Sequence, residues 1–481
     1  MRNDPYHRIW AWSWQARGTD GCGLVISMDI STLSVLLLYL LCTLLLGAWA
    51  GRGRRSLLDF VLSGRELRGF WLTGTLCATI LGASSTLGMA GLGFSRGLPG
   101  AWWLLSGVIG LLALSILLAA RIREKANFTL PDLVGSFYGQ PARDLAAVLI
   151  VTSWVGLVAA QIVASGKVLG VLFSGQETLF MILSTAVFVL YTMHGGQRSV
   201  VRTDLLQFAI IVLGIAVLAF RSWQSAALPA YTVQFPTSPS MGPAAVLSMV
   251  FLVGSTYLVG PDIYSRILSA KDPKTARRSA MTAAVVLIPL AFLIAMLGVW
   301  ARALHPEIAP EQSIPVLMMD LLSPAARGLV AAALLAAFMS SADTMLITIS
   351  SILSMDLYRQ MRPHASDEEL ISISRLSVLA TGIAALAVAI SSPGIIATLM
   401  TAYTVFAGGL VVPVIAGFWR QRLGLSSRAA ILSMLVGGGA ALLFGGSYPL
   451  AGMGSSAMVV LLCGIASRLS GRNRAGFLKE E

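Results

Sequence analysis

Residues 69–94 read GFWLTGTLCATILGASSTLGMAGLGF. The run is apolar at its ends and long enough to cross a bilayer, which takes about 20 residues of helix. Its middle is unlike a lipid-facing helix, because Gly82, Ala83, Ser84, Ser85 and Thr86 stand together and Gly88, Gly91 and Gly93 follow. In hydrocarbon every backbone N–H and C=O must be satisfied within the segment, so such a cluster at mid-span marks backbone that faces protein or water. A membrane helix interrupted at this point is expected. The same device recurs at Gly254, Ser255, Thr256 and Tyr257, followed by Gly260 and Pro261. Small residues also allow close helix packing without a break, but paired clusters at corresponding places point to repeated halves with a binding site at the midplane.

Working outward, 56% of the 481 residues are hydrophobic and 12% are charged, against about 25% charged in soluble domains. A water-soluble fold is excluded. An outer-membrane barrel is excluded too, since its strands alternate apolar and polar residues and these runs are continuous. Thirteen apolar runs are bounded by charge or turn residues, at 29–50, 69–94, 100–121, 145–172, 176–194, 203–221, 242–262, 278–303, 326–354, 371–391, 395–418, 428–446 and 450–468. The expected fold class is therefore all-α, a polytopic membrane protein of about 13 transmembrane helices.

Assigned to alternate sides of these spans, the 34 Lys and Arg divide 26 to 8. The positive-inside rule then places the C-terminus in the cytoplasm and the N-terminus outside a cell (inner) membrane. The net charge of +12 thus reads as an orientation signal and not as a nucleic-acid surface. Cys42, Cys77 and Cys463 lie in apolar runs and Cys22 stands alone, a pattern that implies neither a disulfide framework nor a metal site. The first 27 residues lack the apolar core of a signal peptide. They read either as an extracellular tail or as a misassigned start upstream of Met28.

Five spans separate the starts of the two interrupted helices, which fits two five-helix halves. The expected divisions are a tail at 1–27, an accessory helix and linker at 28–65, a first inverted repeat at 66–222, a second at 223–419, and two accessory helices with a tail at 420–481.

Charges within spans are the next clue, because each costs about 2.5–3.5 kcal/mol or more and persists only with a partner or a role. Of the 22 acidic residues, Asp343 alone lies deep in an apolar run. Just before it, Ala337, Ser340 and Ser341 share a helix face at i, i+3 and i+4. A carbonyl and two hydroxyls aimed at one point suit a hard cation, although serines also back-bond to the preceding turn. Thr203 or Asp204 reads as a helix cap, Lys167 as a snorkelling residue, and Trp102 and Trp103 as part of an interfacial belt.

These motifs together resemble the sodium:solute symporter family, whose known members carry sugars, proline, pantothenate, iodide or short carboxylates. The resemblance runs from about Ser63-Gly64-Arg65 to Trp419 and includes GMAGLGFSRG, YTMHGGQRSVVRTDLLQ, Tyr264-Ser265-Arg266, AAFMSSADT, Ser354-Met355-Asp356-Leu357-Tyr358, and Ala407-Gly408-Gly409 with Pro413 and Gly417. It implies a LeuT-like 5+5 inverted repeat with broken first and sixth core helices, one helix before the core and two after. It also implies a sodium site at the carbonyls of Ala78, Leu81 and Ala337 and the hydroxyls of Ser340 and Ser341. A second ion site in some similar members matches Asp204, Asp343 and Thr344. Those members often carry serine where this chain has Asp343, which leaves open a sodium, a proton or a neighbouring side chain there.

The implied substrate pocket lies at Ser84, Ser85 and Thr86 with Gln161, Ser255, Thr256, Tyr257, Thr401, Tyr403 and Thr404. The polar set typical of sugar carriers is not evident in it. Hydroxyls beside a helix N-terminus suit a carboxylate. The expected function is sodium-driven symport of a small organic solute, an amino acid such as proline or a monocarboxylate, by alternating access. No enzymatic activity and no cofactor beyond the coupling sodium are expected; the partners are the solute, sodium ions and the lipid bilayer. Rival readings are a proton-coupled permease of the same fold and a non-transporting solute sensor. An intramembrane aspartyl protease built on Asp204 and Asp343 lacks the GxGD-type context and leaves the paired helix breaks without a purpose.

Overall fold

A computed structural model of the protein describes residues 29–50, 56–125, 128–173, 175–225, 234–391 and 394–469. The 1–27 tail and Met28 lie outside the described residues. Among those described the chain is almost entirely helical, with two isolated bridges, Leu67 to Ala270 and Ser238 to Met241.

Eleven helices are long and apolar enough to cross a membrane, and the bent pair Gly69–Ile80 and Ser84–Arg96 makes twelve among the described residues. One of the eleven, Glu177–Ser225, has 49 residues. Straight, it would measure roughly 74 Å at 1.5 Å per residue, more than twice the hydrocarbon thickness of about 30 Å. Gly196, at φ 61° and ψ −175°, divides it, and the two parts correspond to the separate apolar runs 176–194 and 203–221.

The elements that build the site are, in chain order, α1 (Ile30–Ala50), α2 (Gly69–Ile80), α3 (Ser84–Arg96), α4 (Gln140–Leu172), α5 (Glu177–Ser225), α6 (Ser255–Val259), α7 (Pro261–Leu268), α8 (Pro273–Leu304), α9 (Pro324–Ser351), α10 (Ile395–Phe406) and α11 (Ala451–Leu469). Helix α9 buries every residue from Val330 to Ser351, its few polar ones included, and such a helix belongs inside a bundle. Its most apolar 18-residue stretch is wholly buried, whereas those of α1 and α11 are 28% and 22% buried. Helix α9 is thus the centre of the bundle, and α1 and α11 lie at its periphery.

Several helices run past their apolar stretches. Helix α8 starts at Pro273, five residues before the apolar run at 278, because Asp272 accepts the N–H of Thr275 at 2.7 Å and caps it there. Helix α4 starts at Gln140 instead of 145, after Gly139 at φ 84°. Caps and turns set where a helix ends, while the apolar run marks only its lipid-depth portion.

Helices α3 and α8 meet backbone to backbone. A Cβ built on Gly298 would lie 1.8 Å from the carbonyl oxygen of Ala90, and one on Gly93 would lie 2.1 Å from that of Ala295. No side chain fits at either point without separating the helices. Gly298→Val is expected to destabilise the protein by about 3 kcal/mol or more, the upper range for overpacking. Gly439→Val, where a Cβ would meet nothing within 4 Å, should stay within about 0.5 kcal/mol. Thermal unfolding of both variants in detergent checks this, and an unshifted Gly298→Val would contradict the contact.

Candidate functional site

The first interruption lies where the sequence places it. Helix α2 ends at Ile80, Leu81 leaves helical geometry at φ −84° and ψ 63°, and α3 departs at 64°. The freed carbonyls are taken up locally: Ser85 Oγ donates to Ile80 O and Thr86 Oγ1 to Gly82 O, both at 2.8 Å. The N–H of Ala83 donates to Gln161 Oε1 on α4 at 2.8 Å. Gly82 permits this closeness, since a Cβ there would come 2.5 Å from Ser341 Oγ and 3.0 Å from Gln161 Oε1.

Helix α9 is stitched to the same break. Ser340 Oγ donates to Ala78 O at 2.9 Å and to Ala337 O at 3.1 Å, and Ser341 Oγ donates to Thr79 O at 2.8 Å. The carbonyls of Ala78 and Ala337 and the hydroxyls of Ser340 and Ser341 are therefore brought together, and Leu81, fully buried, begins the break itself. An uncharged set of carbonyl and hydroxyl oxygens offers a hard cation ligands without adding net charge.

Beside it lies a cavity of about 30 Å³ lined by Ser84, Gln161, Thr256, Tyr257, Tyr403 and Ser341, together with Thr79, Trp154, Met345 and Asp262. The space suits about one or two waters, so its walls must separate to admit a solute. Ser85 and Thr86 spend their hydroxyls on the broken backbone instead. Ser255 Oγ donates to Leu252 O at 3.0 Å and Thr404 Oγ1 to Thr401 O at 3.0 Å, and none of these four hydroxyl residues lines the cavity; Thr401 is exposed. The sequence reading passed over Asp262 and Trp154, although an acid immediately after Gly260 and Pro261 in an apolar run was a usable signal.

A cluster of charges lies against the serine site. Asp204 is completely buried inside α5, eight residues beyond the break at Gly196, and caps no helix end. Thr203 lies in the same helix and bonds to Val200 O at 3.1 Å and to Tyr191 Oη at 2.5 Å, so it is not a cap either. Asp204 Oδ2 accepts from Thr75 and faces Arg266 Nη2 at 3.4 Å. Arg266 also donates to Thr344 Oγ1, which lies 3.1 Å from Thr79 Oγ1 and donates to Ser340 O at 2.8 Å. Asp343 Oδ1 accepts from Thr192 at 2.8 Å. Asp343 Oδ2, Asp204 Oδ1 and the Nε and Nη1 of Arg266 are buried with no hydrogen-bond partner.

These placements correct two expectations and refine a third. Asp343 is not the lone interior acid, because Asp204 and Asp356 are also fully buried; Asp356 pairs with Arg143 at 2.7 Å. Arg266, one of the 26 cationic residues assigned to the cytoplasmic side, is not a loop charge but a fully buried one, so it does not belong in the orientation tally. Lys167 keeps 26% of its side chain exposed, as a snorkelling residue does, but its head is also paired. It is bound to Glu311, whose Oε1 also accepts the N–H of Ile395 at 3.1 Å and of Ile396 at 3.4 Å.

Removing one member of a buried ion pair leaves the other charge uncompensated, at about 3–5 kcal/mol. Arg266→Met is expected to lower the melting temperature strongly, and adding Asp204→Asn to recover part of the loss. Strictly additive effects in this double-mutant cycle would show that the two are not coupled.

Comparison with known proteins joins these observations. Residues 60–437 match the sodium:solute symporter family. The osmoregulated proline transporter OpuE of Bacillus subtilis is 28% identical over 443 residues, covering 87% of this chain and 89% of that protein. The sodium/pantothenate symporter of Escherichia coli is 28% identical over 439 residues, covering 85% and 90%. A Na+-coupled sialic acid symporter in a substrate-bound outward-open state superposes with a TM-score of 0.77 at 17% identity, over 92% of this chain and 98% of that one. That likeness shows the fold, which is LeuT-like. A multi-pass helical membrane protein with a broken helix facing paired serines, matched over most of its length, this chain belongs to the sodium:solute symporter family.

Proposed function

We propose that the protein is a symporter that uses sodium to bring a small organic solute, an amino acid such as proline or a monocarboxylate, into the cell by alternating access. The observation that carries this reading is the double role of Ser341, whose hydroxyl bonds to the broken helix at Thr79 and whose side chain lines the central cavity. An ion held there and a solute in the cavity share one wall, so each alters the other's binding. The sodium ligands in this reading are the carbonyls of Ala78, Leu81 and Ala337 and the hydroxyls of Ser340 and Ser341. Residues 66–222 and 223–419 form the two repeats whose relative movement opens the cavity to either side. At about −100 mV one entering sodium contributes roughly 2.3 kcal/mol, and a tenfold gradient adds about 1.4 kcal/mol. Together these sustain accumulation of several hundred-fold.

Asp204, Asp343 and Thr344 form the second coupling site in this reading. Arg266 already gives Asp204 a positive partner, which leaves Asp343, with its unpaired Oδ2, as the carboxyl that takes a second sodium or a proton. The proton would make the protein a permease coupled to both ions. Uptake into proteoliposomes tests both sites. Ser340→Ala or Ser341→Ala is expected to raise the sodium half-saturation several-fold without loss of insertion, and unchanged values in both would remove the serine site. Asp343→Asn should lower the sodium Hill coefficient from near two if the second ion is sodium, or abolish dependence on external pH if it is a proton. Wild-type behaviour on both counts would leave Asp343 a structural residue.

The orientation proposed is N-terminus outside and C-terminus cytoplasmic in the cell's inner membrane, supported by a Lys and Arg division that stays at 25 to 8 once Arg266 is removed from the 26. A reporter fused after Arg278 is expected in the cytoplasm and one within residues 304–323 outside; the reverse pattern would refute the orientation.

A further inference from the structure

Asp262 is the one charged side chain among the described residues that line the central cavity. It stands in the first turn of α7, directly after the break at Gly260 and Pro261. Around it the cavity wall presents the rings of Trp154, Tyr257 and Tyr403 and the amide of Gln161. None of the ion pairs among the described residues includes Asp262. Arg266, one turn on along the same helix, attracts Asp262 through space but gives its hydrogen bonds to Asp204 and Thr344.

A carboxylate at membrane depth needs a partner or a role, and this residue lines the space in which a solute would sit. Aromatic faces attract cations, and a carboxylate forms its strongest hydrogen bonds with cationic donors. The same wall repels a solute whose only charge is negative. We propose that Asp262 determines specificity by selecting solutes that carry a cationic nitrogen, so that of the two classes named above the amino acid is accepted and the monocarboxylate refused. This rests on the reading of the central cavity as the solute pocket. A purely local role, the interaction of an acidic side chain with the N-terminus of α7, makes a different demand: asparagine serves well at helix starts and would leave selectivity untouched.

The test uses the full-length protein and its Asp262→Asn and Asp262→Glu variants, with proline, trimethylglycine, lactate, pyruvate and glucose as probes. Binding is read as protection against thermal unfolding in detergent, and transport as sodium-driven uptake of the labelled probes into proteoliposomes. Protection is expected from at least one probe with a cationic nitrogen and from neither lactate nor pyruvate. Asp262→Asn should raise the half-saturation for that probe at least about tenfold while moving the sodium half-saturation less than twofold. Asp262→Glu should recover part of the loss, and it remains the informative variant if the asparagine form does not fold. Protection of the wild type by lactate, pyruvate or glucose alone would overturn the proposal, as would a wild-type half-saturation in Asp262→Asn or the failure of every cationic probe to bind. Amine binding that depends on Asp262 but is never accompanied by sodium-driven uptake would uphold the specificity role while refuting symport.

Discussion

Everything at the centre of this molecule depends on one constraint: a helix broken at membrane depth must still find partners for its freed backbone groups. Ser85 and Thr86 return hydroxyls to the carbonyls of Ile80 and Gly82, and Gln161 reaches over from α4 to take the N–H of Ala83. Helix α9 supplies the rest through Ser340 and Ser341, bound to Ala78 and Thr79. The oxygen cluster that suits sodium is made of the same groups that repair the break. The proposed ion site and the helix interruption are thus one arrangement.

How legible this was in the sequence follows from the range of each signal. Apolar runs, the first glycine and hydroxyl cluster and the i, i+3, i+4 serine face are local patterns that the structure contains as spans, a break and a shared face, whereas Ser255, Thr256 and Tyr257 are helical and the chain leaves helical geometry only at Gly260. What escaped depends on contacts between distant parts of the chain. Arg266 reads as a loop charge because its neighbours in sequence include Lys271 and Lys274; its partner Asp204 lies 62 residues away. Lys167 sits 144 residues from Glu311. The type of hydroxyl residue was readable at 84–86, but its use was not. The same serine or threonine serves a solute or a carbonyl depending on which lies nearer, and at Ser85 and Thr86 the carbonyls of the break lie nearer.

The interior also separates two kinds of electrostatics. The serine site is built from neutral dipoles, which attract a cation without paying the full cost of burying an anion. Next to it, joined through Thr344 and the carbonyl of Ser340, lie two carboxyls and one guanidinium with several hydrogen-bonding positions unsatisfied. Buried polar networks that are partly satisfied are sensitive to small rearrangements. In the proposed reading, a change of occupancy at the neutral site reaches the charge of Arg266 through two hydrogen bonds, by way of Thr344.

The clasp at Glu311 has a practical consequence for anyone titrating this protein. It holds α4 through Lys167 and the start of α10 through two N–H groups, and its side chains remain 26% and 20% exposed. Exposed charge pairs weaken as electrolyte is added, with a Debye length of about 10 Å at 0.1 M falling to about 3 Å at 1 M. Raising sodium chloride thus does two things at once, occupying whatever binds the ion and loosening the clasp. A saturation curve measured without a compensating inert salt mixes a mass-action response with a shift in the resting balance of conformations, and the apparent steepness of that curve then belongs partly to the buffer.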